Sequence, residues 1–173
     1  MSLVWVTGNS GSGKSTVCES LARRGWTALD ADHDGYSCWV DRTSGRIAHD
    51  SPDPVPAGWL DSYAWRIDPA RVSELVEVAR GSTVFLCGSA ENETEVLYLF
   101  DRMICLAIDA ETLRERLLAR TNNAFGKHPE ELAAALDDNH AIPARYARSG
   151  AVLIDGTQPP EMVVDAVVAA AAE

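Results

Sequence analysis

Gly8–Thr16, GNSGSGKST, carries the residue types and spacing of a phosphate cradle. Gly8, Gly13, Lys14 and Ser15 fill the pattern G-x-x-x-x-G-K-[ST] without a gap. Glycines let successive backbone N–H groups turn inward around anionic oxygens, with no Cβ to block the approach. A helix starting near Gly13 adds unpaired N–H groups and the positive end of its dipole. Lys14 can reach the outer phosphates of a nucleotide as a movable charge, and the Ser15 hydroxyl can ligate Mg²⁺. The whole run Gly8, Asn9, Ser10, Gly11, Ser12, Gly13, Lys14, Ser15 and Thr16 is therefore the expected nucleotide-binding loop.

Two further groups have spacing that chemistry can use. Asp30 and Asp32 in LDADHD close a second apolar run, where parallel α/β sheets place their ligand crevice. One carboxylate there can serve a metal shell, and the other can orient or deprotonate a hydroxyl. Arg116 and Arg120 in LRERLLARTNNAFGK stand four apart on a helical pattern, so they share a face and can act on one ligand.

These residues need a scaffold, and the rest of the chain describes one. Short apolar, β-rich runs lie at Leu3–Thr7, Trp26–Asp30, Thr83–Cys87, Met103–Ile108 and Ala151–Ile154. None alternates with polar residues, the pattern of strands covered by helices on both faces. Helical patterns fall between them. DPARVSELVEVARG is the clearest, with Asp68 as cap and Pro69 at the first position. Pro143 is expected to kink or interrupt the helix that starts at Pro129. The alternation implies a doubly wound α/β domain, a three-layer sandwich around a five-stranded parallel sheet, with residues 1–173 forming one unit. Residues 31–67, rich in Asp, Pro, Gly and Trp, resist assignment and read as a long functional insertion.

Bulk properties exclude several classes. Lysine and arginine number 15 against 26 aspartates and glutamates, a formal net charge of −11, which disfavours a nucleic-acid groove. No apolar run approaches the roughly 20 residues of a membrane span, and the amino-terminal stretch LVWVT lacks the build of a signal peptide. Cys18, Cys38, Cys87 and Cys105 show no metal-ligand or disulfide spacing and read as free thiols of a cytoplasmic protein. The guanine motif Asn-Lys-x-Asp does not occur.

Together the loop, the D-x-D pair and the paired arginines resemble the small P-loop kinases, the group of shikimate, gluconate and adenylate kinases. The resemblance spans nearly the whole chain. It implies a phosphotransferase using ATP and Mg²⁺ on a small-molecule acceptor, acting as monomer or homodimer. By that likeness Asp30 serves Mg²⁺ through water and Asp32 contacts the acceptor, with Lys14, Asp32 and Arg120 catalytic. Arg116 would lie on the adenine and Arg120 reach the phosphates, at the entry to a lid over residues 121–129 that includes Asn122, Asn123 and Lys127. Gly156, Thr157 and Gln158 in VLIDGTQPPEM match the turn bordering the adenine. In TVFLCGSAEN the strand runs into Gly88, at the expected acceptor site, where many P-loop proteins have a metal-binding aspartate. Asn92 and Glu91 would approach the acceptor. Arg66 roughly matches an arginine that holds a substrate carboxylate, and Trp59, Tyr63 and Trp65 offer flat surfaces or a local core. The other reading is a nucleotide-binding regulatory protein without transfer chemistry, or a stand-alone ATPase.

Overall fold

The computed structural model describes residues 1–48, 52, 56, 58–121 and 125–173. Five parallel strands form the central sheet: β1 (Leu3–Gly8), β2 (Thr27–Asp30), β6 (Val84–Cys87), β7 (Arg102–Ala107) and β8 (Val152–Asp155). They lie in the order β2-β6-β1-β7-β8, with β1 at the centre. Each matches an apolar run of the sequence to within a residue or two. Side chains on β1 alternate between two cores, which explains the absence of polar positions. Leu3 and Trp5 enter one layer with Val72, Leu75, Ile142 and Tyr146, while Val4 and Val6 enter the other with Val17, Leu21, Val163 and Val167.

The first layer is covered by α3 (Pro69–Ala79) and α5 (Pro129–Arg148), the second by α1 (Lys14–Arg23) and α6 (Pro160–Ala172). Asp68 caps α3 as its sequence suggests, accepting a bond from Ala70 N at 2.9 Å. Asp109 does the same for α4 (Ala110–Ala119), through Thr112 N at 2.7 Å. Short 3₁₀ turns at Glu93–Glu95 and Leu97–Leu99 join β6 to β7.

One expectation is corrected and another narrowed. Residues 31–67 are not irregular throughout: β3 (Ser37–Asp41), β4 (Ile47–Ala48) and β5 (Tyr63–Ile67) form an antiparallel sheet ordered β4-β3-β5, with a one-turn helix α2 (Trp59–Ser62) before β5. The turn after β3 is built by Asp41, whose Oδ1 accepts from Thr43 N and Ser44 N at 3.0 and 2.7 Å. Nor does Pro143 interrupt α5, which continues from Pro129 to Arg148. Proline removes one helical N–H bond, but Ala135, Asn139, Ile142 and Tyr146 bury one face of α5 on both sides of it. That packing outweighs the local loss.

Candidate active site

The loop after β1 needs glycine at two positions for identifiable reasons. Gly8 has φ +143°, and a Cβ there would lie 2.6 Å from the Leu106 carbonyl and 2.8 Å from Ser12 Oγ. Gly13, at φ +103°, starts α1 in a left-handed conformation, with no side-chain cap on the helix. The N–H groups of the first turn therefore remain available to an anion. Lys14 folds back over the loop, its Nζ donating to the carbonyls of Gly8 and Asn9 at 2.9 and 2.8 Å. Desolvation lowers its pKa, against the pull of Asp32, Glu93 and Asp30. Asn9 fastens the loop to α5, donating to Ala135 O at 2.9 Å and Asn139 Oδ1 at 3.2 Å. Its own Oδ1 accepts from Ser10 N at 2.8 Å.

Asp30 and Asp32 sit beside this loop in unlike environments. Burial alone would push Asp30 up, but bonds from His33 N, the Ser15 hydroxyl and Asp32 N outweigh it and hold the carboxyl below its usual range. Its neighbour Asp32 goes the other way. Desolvation by the cleft walls, then the Asp30 charge, raise its pKa, with Lys14 and the Trp65 indole opposing. Trp65 Nε1 donates to Asp32 Oδ1 at 3.1 Å. One carboxylate is thus kept ionised and the other is tuned towards holding a proton, the division acid–base chemistry uses.

Both arginines converge on the loop. Arg116 donates to Ser12 O at 3.3 Å and to Gly156 O at 2.9 Å, tying the loop to the turn after β8. Arg120 donates to Ser10 Oγ at 3.1 Å and to Phe125 O at 2.5 Å, and burial lowers its pKa. Thr157 and Gln158 are held by Asp155, through Thr157 N at 2.9 Å and Gln158 Nε2 at 2.8 Å. Thr16 is exposed on the first turn of α1. Asn122 and Asn123, expected in the lid, lie outside the described residues.

A cleft of about 1070 Å³ opens from Gly8, Asn9 and Ser10, past Asp32, Trp65 and Trp39, to Tyr146 and Arg145 of α5. Arg66 and Gly88, expected at the acceptor, are not among its described lining residues. Strand alternation separates Arg66 from Trp65, and Glu95 holds its guanidinium by two bonds of 2.8 Å. Gly88 is buried: a Cβ there would lie 2.5 Å from Ala31 Cβ, so glycine lets the chain just past β6 approach that just past its neighbour β2. Asn92 clasps β5, accepting from Ile67 N at 2.8 Å and donating to Ile67 O at 3.0 Å. Trp59 and Tyr63 stack on each other at 3.8 Å. Glu91 does line the cleft, bound by Arg42 at 2.7 Å.

The sequence reading missed Glu93. It lines the cleft and is buried, its Oε2 accepting from Tyr146 Oη at 2.8 Å and its Oε1 from Ala90 N at 2.9 Å and Thr7 Oγ1 at 3.2 Å. Burial pushes its pKa above the usual range, against those donors. The segment ENETE offers three glutamates at every second position, and the 3₁₀ turn, not that alternation, decides which faces inward.

The residues present fit a nucleotide with its metal. The uncapped N–H groups at the start of α1 suit phosphate oxygens, and Ser15 with Asp30 provides hard oxygen donors of the kind Mg²⁺ takes alongside water. Among the described residues no cluster of three or more His, Cys, Asp or Glu forms a dedicated metal cage.

Sheet order, phosphate loop and converging arginines define a P-loop domain with the fold of the small kinases. A family model described as an AAA domain matches residues 4–137, and the chain belongs to that family. No curated protein sequence matches it significantly. Among solved structures it is similar to a shikimate kinase from Acinetobacter baumannii in complex with shikimate, with TM-score 0.58 and 17% identity over 97% of this chain and 91% of that one. It is also similar to an unliganded sugar kinase from Janibacter sp. HTCC2649, with TM-score 0.55 and 19% identity over 97% and 92% of the two chains. A gluconokinase from Sinorhizobium meliloti 1021 aligns with TM-score 0.51 and 20% identity over 98% and 90%. At these identities the likeness is one of fold. Among the described residues no helix is long and apolar enough to cross a membrane.

Proposed function

We propose that the protein is an ATP-dependent kinase that transfers the γ-phosphoryl group to a hydroxyl of a small molecule. The observation that carries this reading is the placement of Asp32, tuned towards holding a proton, in a roomy cleft that begins at the phosphate loop. Asp32 shares this cleft with Gly8, Asn9 and Ser10 of the loop, so a hydroxyl held against it can meet a phosphate bound there. The sugar kinase, shikimate kinase and gluconokinase of similar fold are named for small hydroxyl-bearing substrates, which supports the same class here.

In this mechanism the loop N–H groups and the start of α1 hold the β- and γ-phosphates. Lys14 exchanges its bonds to Gly8 and Asn9 for a phosphate oxygen and neutralises charge that develops during transfer. Ser15 and Asp30 would hold Mg²⁺, which when bound supplies further neutralisation of the phosphate oxygens. Arg120 reaches the phosphates from beside Ser10, and Arg116 braces the loop against Gly156, beside the expected base site. Asp32 orients the acceptor hydroxyl and takes its proton as the oxygen attacks. The deciding experiment measures ADP release from Mg·ATP across nucleosides, sugars, hydroxy acids and amino sugars. Stimulation by one class, abolished in Lys14→Ala without loss of fold, is the expected result. Lys14→Ala turning over at the wild-type rate would remove the mechanism.

A further inference from the structure

The cleft beyond the phosphate loop offers little free charge. Arg145 is the one arginine or lysine in its described lining, and Asp138 Oδ1 accepts from its Nη1 at 3.1 Å. Glu91 is held by Arg42 at 2.7 Å, and Glu131 accepts from Gly126 N at 2.8 Å within electrostatic reach of Arg120. Glu93 already takes donors from Tyr146, Ala90 and Thr7, and burial favours its neutral form. A carboxylate or phosphate entering here meets no unpaired lysine or arginine among the described lining residues. An ammonium ion finds the carboxylates beyond Asp32 already engaged. Neither charge is what this lining selects.

What the cleft does offer is an apolar corner beside the proposed base. Trp39 and Trp65 pair directly across β3 and β5, edge-to-face at 5.1 Å, and both line the cleft while only half-buried. Leu60 lines it too, exposed on the one-turn helix whose Trp59 packs edge-to-face on Trp39 at 6.4 Å. Trp65 Nε1 donates to Asp32 Oδ1 at 3.1 Å, so a molecule whose hydroxyl meets Asp32 lies within reach of this corner. Indole faces left partly in water gain by being covered, and flat rings pack on them face to face or edge-on. The cleft also has room: its volume of about 1070 Å³ stands at the top of the roughly 300–1,000 Å³ of sites that take drug-sized ligands.

We infer that the acceptor is an uncharged hydroxyl compound carrying a flat apolar or aromatic ring, which packs on Trp39 and Trp65 while its hydroxyl meets Asp32. The inference rests on the kinase reading above and names its substrate class. In the transfer, the acceptor oxygen forms a bond to the γ-phosphorus while the bond from that phosphorus to the bridging oxygen breaks. ADP leaves with the electron pair, and the hydroxyl proton passes to Asp32.

The test compares matched acceptors in an ADP-release assay with Mg·ATP: phenyl against methyl glucoside, uridine against ribose, and the anions gluconate and shikimate. A ring-bearing neutral compound should exceed its ring-free partner at least about tenfold in kcat/KM, and both anions should stay at background. Trp39→Leu keeps apolar bulk but loses the indole face, so KM for the ring compound should rise about tenfold with a smaller change in kcat. Trp39→Phe restores a flat ring and should hold that KM within about threefold of wild type. Preference for an anion or a ring-free compound would overturn the inference and leave the kinase reading intact, since transfer would still occur. A ring preference that Trp39→Leu leaves unchanged would also overturn it. If nothing is phosphorylated, saturation-transfer NMR of phenyl glucoside, with a non-hydrolysable ATP analogue present, separates the two readings. Saturation of the ring protons by the wild type, lost in Trp39→Leu, keeps the ring site and counts against transfer; no saturation overturns the inference.

Discussion

Asp32→Asn tests the proposed chemistry with the least disturbance to the fold. The substitution keeps the side chain's shape, and an amide oxygen can still accept the 3.1 Å bond from Trp65 Nε1. What it removes is the proton acceptor. A positioned general base contributes about a hundred- to ten-thousandfold, which is about 2.7–5.4 kcal/mol of barrier at roughly 1.36 kcal/mol per tenfold. Nucleotide binding should not follow that loss. Ser15 bonds to Asp30, not Asp32, and the loop carbonyls still hold Lys14. Removing a negative charge beside Lys14 also takes away a repulsion that anionic ATP would meet. The assay pairs steady-state kcat with ATP affinity by competition against a fluorescent analogue. The expected result is a kcat lower by two orders of magnitude or more, at unchanged or tighter ATP binding. A kcat within about threefold of wild type together with a tenfold loss of ATP affinity would refute the reasoning and assign Asp32 to the metal.

Three other predictions follow from the geometry. Gly8→Ala should cost about 2–4 kcal/mol, because its Cβ meets the Leu106 carbonyl at 2.6 Å on a backbone with φ +143°; thermal unfolding should show a fall in Tm of roughly 5–15 °C. Arg116→Ala breaks the tie between Ser12 and Gly156, so KM for ATP should rise about tenfold with a smaller change in kcat; a drop confined to kcat would contradict the bracing role. Glu93 binds its proton more tightly folded than unfolded, so the native state gives up stability as pH rises from the ordinary glutamate pKa through the raised value. Glu93→Gln should flatten that slope in urea-unfolding free energies above the ordinary glutamate pKa of about 4.3; parallel curves for the two proteins would place the ionisation elsewhere.

The two halves of the site differ in how they are encoded. Most of the nucleotide half comes from continuous stretches: Gly8–Thr16, the end of β2 at Asp30, and the arginine pair beginning on α4. Each carries its own local signal, and each was legible without a fold. The central strands were legible too, because burial on both faces left uninterrupted apolar runs. On the acceptor side, the walls exist only through distant pairings. Trp39 meets Trp65 across β3 and β5, in strands whose Ser, Asp, Arg and Tyr hide any alternation. Tyr146 meets Glu93 and Thr7 across three elements. A proline in α5 and three glutamates in ENETE mislead or say nothing when read locally.

That division bears on function as well as on prediction. A cradle made of contiguous backbone can recognise what all nucleoside triphosphates share, and α5 and the two arginines brace it from outside. The proposed acceptor chamber depends on the small antiparallel sheet staying docked. Trp65 hangs from β5, which Asn92 clasps at Ile67, while Glu91 N donates to Trp65 O at 2.8 Å. The same β5 sets Trp65 against Asp32, so the sheet that shapes the acceptor wall also tunes the proposed base. Loosening the clasp should therefore alter acceptor affinity and the acid limb of the kcat profile together, while ATP binding stays fixed by the loop, β7 and α5. In the proposed kinase, acceptor choice and proton transfer would be coupled through one strand, with nucleotide binding held apart from both.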